Sequence, residues 1–292
     1  MKNLTPILGL LLLSPLTPLA AQVTVEVACE QEQFLPGEAL PAAVKIRNRS
    51  GQPLRLGGDV DWLTFSVEAR DGFIVTKSGE IPVTGEFVLD SSKMATKRVD
   101  LAPYFNLTKP GRYTVIATVT IKQWDKQYGS KPKSFDIIHG AKLWEQEFGV
   151  PLAGDASNRQ PEVRKYILQQ ANYLKQLRLY LRLTDASEGK VFKVFAIGPI
   201  VSFARPEPQV DKFSNLHVLY QTGAHVFSYM VINPAGEVME RQTHDITNTR
   251  PRLQMGPNGN FVVVGGMHRP VASDLPVPEA STPSDEVKTS QP

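Results

Sequence analysis

Short runs in which polar and apolar residues alternate recur along this chain, and they constrain its fold more than any other feature. In "WLTFSVEA" (62–69), Leu, Phe and Val alternate with Thr, Ser and Glu, and "RYTVIATVTI" (112–121) and "LRLYLRLT" (177–184) show the same period of two. This period places alternate side chains on opposite faces of a β-strand. Clusters of Gly, Pro, Asn and Asp separate the runs, as is typical of antiparallel strands joined by turns. The sequence therefore predicts an all-β fold.

Residues 22–150 contain many of these runs and predict one antiparallel β-sandwich. Within them, "LTKPGRYTVIA" (107–117) resembles the penultimate strand of immunoglobulin-like folds. The resemblance implies that Gly111 and Tyr113 lie at a corner and that the tyrosine hydroxyl bonds back to the backbone. "FLPGEAL" and the following "VKIRNRSGQPL" are similar to the opening strands of bacterial immunoglobulin-like and macroglobulin-type domains. This is a likeness of fold and carries no function across.

A second domain is predicted over 161–271, after a small and polar linker at 151–160. It opens with "PEVRKYILQQANYLKQ" (161–176), which predicts an amphipathic helix with a proline in its first turn. Four apolar residues follow the helical spacing: Val163, Ile167, Ala171 and Leu174. The rest of the domain is strand-like, so we expect a small antiparallel β domain in which this one helix covers an open face or edge.

A weak internal repeat lies within the second domain. "RPEPQVDKFSNLHVLYQ" (205–221) and "RPRLQMGPNGNFVVVGG" (250–266) align without gaps at an interval of 45 residues. An interval of roughly 40–50 residues is typical of propeller blades, and the domain has room for about two, too few to close a propeller. We therefore expect two blade-like units. Between them, "NPAGE" (233–237) predicts a tight hairpin in which Gly236 takes a positive φ.

The two ends of the chain differ in composition from its body. The N-terminus has a positive start, an apolar run and then small residues, which predicts a secretory signal peptide over 1–21. Its apolar run is too short and too rich in proline to span a bilayer. Residues 272–292 are rich in Pro, Ser, Thr and acids and predict a disordered tail. We therefore expect an exported protein, periplasmic or secreted, without a transmembrane segment.

The sequence assigns no catalytic, cofactor-binding or metal-binding residue. It lacks a Gly-x-Ser-x-Gly elbow, and its single cysteine excludes an internal disulfide and thiolate-rich zinc sites. His217 and His225 could face each other across a hairpin and bind a metal ion, but two half-exposed strand residues are the simpler interpretation. His244 and Asn258 are interpreted as exposed loop or edge residues.

Positive charge is concentrated in the predicted helix and the strand after it, at Arg164, Lys165, Lys175, Arg178 and Arg182. These residues could dock an anionic glycan or a phosphate-bearing surface, whereas a solvated face of long side chains is the simpler interpretation. The formal net charge of +3 gives no reason to expect nucleic acid as a partner.

Two functions of different class are compatible with the sequence. The first is an exported, non-catalytic binding or structural protein of the cell envelope or secretome, with an unknown protein or glycan partner. The alternative is an extracellular hydrolase acting on carbohydrate or peptide, with its site between the two domains. Only five histidines and scattered acids support the alternative, whereas the modular all-β layout and the lack of a catalytic motif favour the first.

Overall fold

The computed structural model describes residues 22–150, 162–257 and 259–276. Within these residues the strands are β1 Val23–Cys29, β2 Gln33–Phe34, β3 Pro41–Asn48, β4 Leu54–Leu56, β5 Leu63–Ala69, β6 Phe87–Leu89, β7 Met94–Asp100, β8 Gly111–Ile121, β9 Lys126–Gly129, β10 Lys133–Ile137, β11 Ala141–Gly149, β12 Val163–Tyr173, β13 Gln176–Asp185, β14 Val191–Pro199, β15 Glu207–Val210, β16 Leu216–Gln221, β17 Val226–Ile232, β18 Val238–Asp245, β19 Arg252–Met255, β20 Phe261–Val264 and β21 Met267–His268. Two 3₁₀ turns are Ala102–Tyr104 and Lys122–Trp124.

In the described part of the chain, no helix has the length and apolar character that crossing a membrane requires. The predicted all-β class is confirmed. The predicted signal peptide (1–21) and linker (151–160) lie outside the described residues.

Strands β1–β10 form the first sandwich. One sheet has the order β1-β3-β7 and the other β2-β10-β8-β5, with β9 paired to β8, while β4 and β6 form a small separate pair. Neighbouring strands run antiparallel, except that β2 and β10 are parallel. In β5 the buried residues are Leu63, Phe65 and Val67, as the alternation predicts. Burial of each such side chain contributes about 1.5–3 kcal/mol.

Tyr113 lies at the start of β8 with its ring buried against Phe135. Its hydroxyl donates a hydrogen bond of 2.7 Å to the backbone carbonyl of Lys109. The predicted bond from the tyrosine hydroxyl back to the backbone is therefore confirmed. This bond ties the loop before β8 to β8 itself, which lies between β10 and β5 in the sheet.

Tyr113→Phe is expected to lower the free energy of unfolding by about 1–2 kcal/mol, because the Lys109 carbonyl loses its donor while the ring packing stays. Tyr128→Phe is the matched control, since the Tyr128 hydroxyl makes no hydrogen bond among the described residues. Urea denaturation of both variants tests this. Equal stability of the two variants would contradict a stabilising role for the corner.

Strands β11–β18 and β21 form the second sandwich. Its sheets have the orders β11-β12-β13-β14 and β15-β16-β17-β18-β21. The faces that meet bury a core in which Leu179, Leu181 and Leu183 of β13 lie in one cluster with Val218 of β16 and Met230 of β17. Successive side chains of a strand point to opposite faces, so every second residue of β16 and β17 points away from this core. That outer face carries the candidate site.

The predicted helix at 161–176 is wrong: residues 163–173 form strand β12. This strand pairs with β11 on one side and β13 on the other. It is covered on both faces, so that the consecutive residues Tyr166, Ile167 and Leu168 are all buried. A strand buried on both faces carries apolar residues on both, so its sequence does not alternate between polar and apolar residues. The apolar residues of β12 fit helical spacing by coincidence. Leu174, one of the four residues that follow the helical spacing, lies exposed in the turn to β13 with a positive φ of 54°.

Two predicted boundaries also change. Strand β11, expected to belong to the first domain, pairs with β12 as the edge of a sheet in the second sandwich. The tail predicted from 272 is ordered at its start, since Asp274 is buried and Leu275 exchanges two backbone hydrogen bonds with Arg241. Residues 277–292 of that tail lie outside the described residues.

The first sandwich contacts the second through the loop after β2. Leu35 packs against Ala171, Tyr180 and Val194 on the side of the four-stranded sheet that faces away from the second sandwich's core. The Arg182 guanidinium donates a hydrogen bond of 2.8 Å to the carbonyl of Pro36. The four-stranded sheet is therefore covered on both faces, by its partner sheet and by the first sandwich.

The internal repeat corresponds to two β-hairpins and not to blades. The first copy is β15–β16 and the second is β19–β20, and equivalent strands begin 45 residues apart. The same backbone hydrogen bond closes both turns: Asp211 N–H bonds to Asn215 O and Gly256 N–H to Asn260 O, at 3.0 and 2.7 Å. The first hairpin belongs to the five-stranded sheet. The second, residues 252–264, lies on the outer face of that sheet and is called the covering hairpin below.

The hairpin predicted at 233–237 is also present. Asn233 N–H bonds to the carbonyl of Glu237, and Gly236 has a φ of +78°. The predicted positive φ is confirmed.

Candidate polar pocket under the covering hairpin

A cavity of about 550 Å³ lies between the outer face of the five-stranded sheet and the covering hairpin. Strand register brings its floor together: His217, Val231 and Glu240 lie side by side on β16, β17 and β18, and Tyr229 and Gln242 form the next row. Since these residues alternate with core residues, the strands that close the core also present them outward. The volume falls within the range of small-molecule sites.

The first polar group in the pocket is a chain of three side chains. His217 lies between Asp211 and Tyr229, with 3.2 Å from Nε2 to Asp211 Oδ2 and 2.7 Å from Nδ1 to Tyr229 Oη. An ionised carboxylate only accepts hydrogen bonds, so the Nε2–H of His217 donates to Asp211, and Nδ1 shares a hydrogen bond with the Tyr229 hydroxyl. Both ring nitrogens of His217 are therefore occupied.

Asp211 is held as an anion by its own turn. Burial acts to raise its pKa, but hydrogen bonds from the Asn215 side chain, from His217 and from the backbone N–H groups of Asn215 and Phe213 outweigh burial and lower it. Burial raises the pKa of Tyr229, and the charges of Glu240 and Asp211 raise it further. The Tyr229 hydroxyl therefore stays protonated and acts as a fixed hydrogen-bonding group.

The second polar group runs along the outer face of β18. The Gln242 amide donates to Glu240 Oε1, and its own carbonyl oxygen accepts from His244 Nε2 at 3.0 Å. Burial raises the pKa of Glu240. Burial and the neighbouring His268 lower the pKa of His244, so this ring is neutral and acts as a donor.

His268 and Asp274 lie next to His244 but do not line the pocket. The His268 ring lies 5.4 Å from the His244 ring, and its Nε2 bonds to Asp274 Oδ2 at 3.2 Å. Asp274 is almost fully buried and also accepts from the Val271 N–H and the Thr243 hydroxyl. The chain after β21 is thereby tied to the end of the sheet beside the pocket.

The covering hairpin supplies an apolar wall with one amide. Phe261, Val262 and Val263 line the cavity together with Asn260, and the Phe261 ring lies 5.2 Å from the His217 ring.

The two repeated hairpins also contact each other. Glu207 of the first accepts from the backbone N–H of Leu253 at 3.1 Å and pairs with the Arg252 guanidinium at 3.4 Å. Glu207 and Arg252 occupy equivalent positions of the repeat, so the two copies meet at corresponding residues.

The pocket has a distinctive charge pattern. Among the described residues, no Lys or Arg lines it, whereas two carboxylates do. Over the same residues, no three His, Cys, Asp or Glu side chains converge as metal ligands. The pocket therefore suits a neutral or positively charged ligand that exchanges several hydrogen bonds and places an apolar surface against Phe261.

The histidines singled out from the sequence have different positions. His217 is buried in the pocket, but His225 lies exposed in the turn between β16 and β17, so the structure does not bring them together as a metal site. The interpretation of His217 as half-exposed is wrong, as is that of His244 as exposed: only 7% and 6% of their surfaces remain accessible. Asn258 lies outside the described residues.

The five cations singled out from the sequence do not share one open face. Arg164 forms a two-bond pair with Glu162, and Lys165 lies 3.3 Å from Glu188. Arg178 stacks on the ring of Tyr173, Arg182 bonds to the first sandwich, and Lys175 is exposed in the β12–β13 turn. Alternation along β12 places Arg164 and Lys165 on opposite faces. Binding of an anionic partner by these residues stays a prediction.

The sequence contained a weak signal for the pocket. In "NLHVLYQ" and "HVFSYMVIN" both alternating sets are largely apolar, so a polar residue such as His217 or Tyr229 has to be satisfied within a covered face. The repeat at 250–266 marked the segment that provides the cover.

No family model matches the chain, and no curated protein matches it. Among solved structures, the sporulation control protein Spo0M from Bacillus subtilis is similar to it, with 11% identity and a TM-score of 0.31 over 85% of this chain and 91% of that chain. A similarity this low carries no argument about the function, which therefore depends on the pocket.

Proposed function

We propose that the protein is an exported, non-catalytic binding protein of the cell envelope or secretome, and that it holds a glycan in the polar pocket. The observation that carries the proposal is the lining of one cavity by hydrogen-bonding side chains from three strands opposite the apolar wall of the covering hairpin. Sugar rings have this combination of hydroxyl groups and apolar faces. Binding sites of this type are concave, with a few placed polar groups.

The side-chain geometry favours binding over catalysis. Both ring nitrogens of His217 are engaged, and Asp211 accepts four hydrogen bonds from its own turn and from His217. A general base needs an accessible lone pair on the group that takes the proton. These side chains instead form a rigid lining that presents fixed donors and acceptors.

A hydrolase is the second candidate, favoured by one observation. Asp211 with a lowered pKa and Glu240 with a raised pKa line the same cavity. Two carboxyl groups with pKa values shifted in opposite directions are typical of acid–base pairs in enzymes. This alternative places its site under the covering hairpin and not between the two domains.

The first sandwich is part of the same proposal. Its immunoglobulin-like character is supported by the Tyr113 corner and by the parallel pairing of the short strand β2 with β10. We infer that it acts as a spacer or a second contact surface in the envelope. The macroglobulin-type resemblance adds no function of its own.

Asn260→Ala is expected to weaken binding of a neutral tetrasaccharide about 5- to 10-fold, since one hydrogen bond contributes roughly 1 kcal/mol. Titration calorimetry with N-acetylated chitotetraose, cellotetraose and maltotetraose measures this effect. Asn248→Ala, in an exposed loop outside the pocket, is the matched control and is expected to bind like the parent. Equal affinities of the two variants, or no binding by the parent, would contradict the proposal.

The same samples distinguish the two candidate functions. Chromatography after long incubation is expected to recover the tetrasaccharides intact. Shorter products that disappear in Glu240→Gln would support the hydrolase instead.

A further inference from the structure

Glu240 is a half-buried carboxylate in the pocket that lacks a basic partner. Its Oε1 accepts from the Gln242 amide, while Oε2 receives no hydrogen bond from any residue that the structure describes. Arg241 is the next residue in β18, and its cross-strand partner Met230 lies in the core. The Arg241 side chain therefore points to the face opposite that of Glu240. A carboxylate withdrawn from water is unfavourable unless a cation accompanies it.

The charged and titratable groups around Glu240 come from the elements packed against it. Strand β16 contributes His217, which Asp211 holds, and β21 contributes His268, which Asp274 holds. Strand β18 itself adds the Gln242 amide and the neutral His244 ring. The lining residues of the covering hairpin are uncharged. Burial raises the pKa of Glu240, and the two histidines of β16 and β21 offset this only in part. In the ligand-free pocket the ionised form of Glu240 is therefore disfavoured and has no Lys or Arg beside it among the described lining residues.

We propose that the pocket selects a glycan that carries a protonated amino group, an amino sugar, whose ammonium pairs with the Glu240 carboxylate. The inference rests on the proposed function and specifies its ligand. The ammonium donates to the Glu240 Oε2 atom, which has no donor within the described residues, and so compensates the partial burial of the carboxylate. The rings of Tyr229 and Phe261 line the same cavity and favour a cation near their faces.

The same charges discriminate against other sugars. A uronic acid would place a third carboxylate beside Asp211 and Glu240 with no Lys or Arg lining the described pocket, which is unfavourable by like-charge repulsion. A neutral N-acetylated sugar keeps its hydroxyl contacts but leaves Glu240 without a cation. The expected order of affinity is therefore amino sugar, then neutral sugar, then uronic acid.

Titration calorimetry with three tetrasaccharides tests this order: fully deacetylated chitotetraose, N-acetylated chitotetraose and tetragalacturonate. The deacetylated sugar, at a pH where its amines are protonated, is expected to bind at least about 10-fold more tightly than the acetylated one, the scale of a partly buried charge pair. Tetragalacturonate is expected not to bind. In Glu240→Gln, which preserves an acceptor for Gln242, the preference for the amine is expected to disappear.

Two further comparisons make the assignment to Glu240 specific. Glu237→Gln removes an exposed carboxylate from the β17–β18 turn and is expected to keep the full preference, which controls for net charge. Repeating the titration at acidic pH in buffers of different ionisation enthalpy counts protons. Where the raised pKa leaves part of Glu240 protonated, the parent is expected to release protons on binding the amine, while Glu240→Gln releases none.

The ligand-free protein provides a readout that does not depend on any sugar. Because the pKa of Glu240 is raised in the folded state, the folded protein binds this proton at pH values where the unfolded chain has lost it, so stability falls as pH rises through this window. Glu240→Gln is therefore expected to melt above the parent at neutral pH, and the difference to vanish in acid. Glu237→Gln is expected to show neither effect.

The outcomes separate the inference from the proposed function. Equal binding of the two chitotetraoses, or a preference that survives in Glu240→Gln, overturns the amino-sugar inference and leaves glycan binding in place. Absence of binding by every sugar tested overturns the proposed function and this inference with it. A lower melting temperature of Glu240→Gln at neutral pH would show that the protein itself neutralises the carboxylate, and would also overturn the inference.

Discussion

Gly266→Ala is expected to lower the free energy of unfolding by about 2–5 kcal/mol, the sum of left-handed strain and overpacking. Gly266 has a φ of +62°, and a Cβ atom there would lie 2.6 Å from the Asp245 carbonyl oxygen and 2.6 Å from Pro251 Cγ. Neither neighbour can move alone, since Asp245 ends β18 and Pro251 precedes the covering hairpin. Urea denaturation with an unchanged m-value measures the loss.

Gly259→Ala is the matched control for this substitution. Gly259 has a similar φ of +75°, but a Cβ atom there would meet no atom within 4 Å. Only the backbone strain remains, so the expected loss is about 1–2 kcal/mol. Gly266→Ala is further expected to weaken sugar binding, because the displaced hairpin carries Phe261 and Asn260. Equal losses for the two variants would show that the close approach at Gly266 is relieved easily.

His217→Ala is expected to cost about 2–4 kcal/mol of stability and to abolish measurable sugar binding. The substitution removes both hydrogen bonds of the ring and its contact with Phe261. It leaves the Tyr229 hydroxyl without its partner, whereas Asp211 keeps three of its four hydrogen bonds. A buried hydroxyl left without a partner costs about 1–3 kcal/mol, and the lost Asp211 bond and the cavity add to this. Thermal and urea unfolding measure the effect.

His225→Ala is the control, because His225 lies exposed in the turn of the same hairpin. Its stability is expected to stay within about 0.5 kcal/mol of the parent. If His217→Ala proved as stable as His225→Ala, the Asp211–His217–Tyr229 chain would not be a rigid part of the pocket.

Local pattern predicted much of the fold because much of it is determined locally. The alternation in β5 and β8, the turn at Gly236 and the Tyr113 corner each depend on a few neighbouring residues. Strand β12 was predicted as a helix because its state depends on β11 and β13, which cover its edges, and on layers that cover both of its faces. The apolar residues of β12 reflect this burial, and burial alone does not distinguish a strand from a helix.

The pocket could not be predicted from the sequence because its members meet only through strand register. His217, Tyr229 and Glu240 lie on three strands with no common motif, and a shift of one residue in either pairing would turn them into the core. His244 was interpreted as an exposed loop or edge residue. Its burial depends on β21 and on the ordered segment around Asp274, far along the chain.

The pairing of β11 with β12 means that the two halves of the chain cannot be divided where their compositions change. Any break within 151–161 leaves the edge strand of the second sandwich attached to the first, with Phe148 of β11 stacked on Tyr166 of β12. Fragments 22–150 and 162–276 are in this sense two parts of one complementing pair. Each would recognise the other by completing a sheet, which makes the segment between them a natural point for a split reporter.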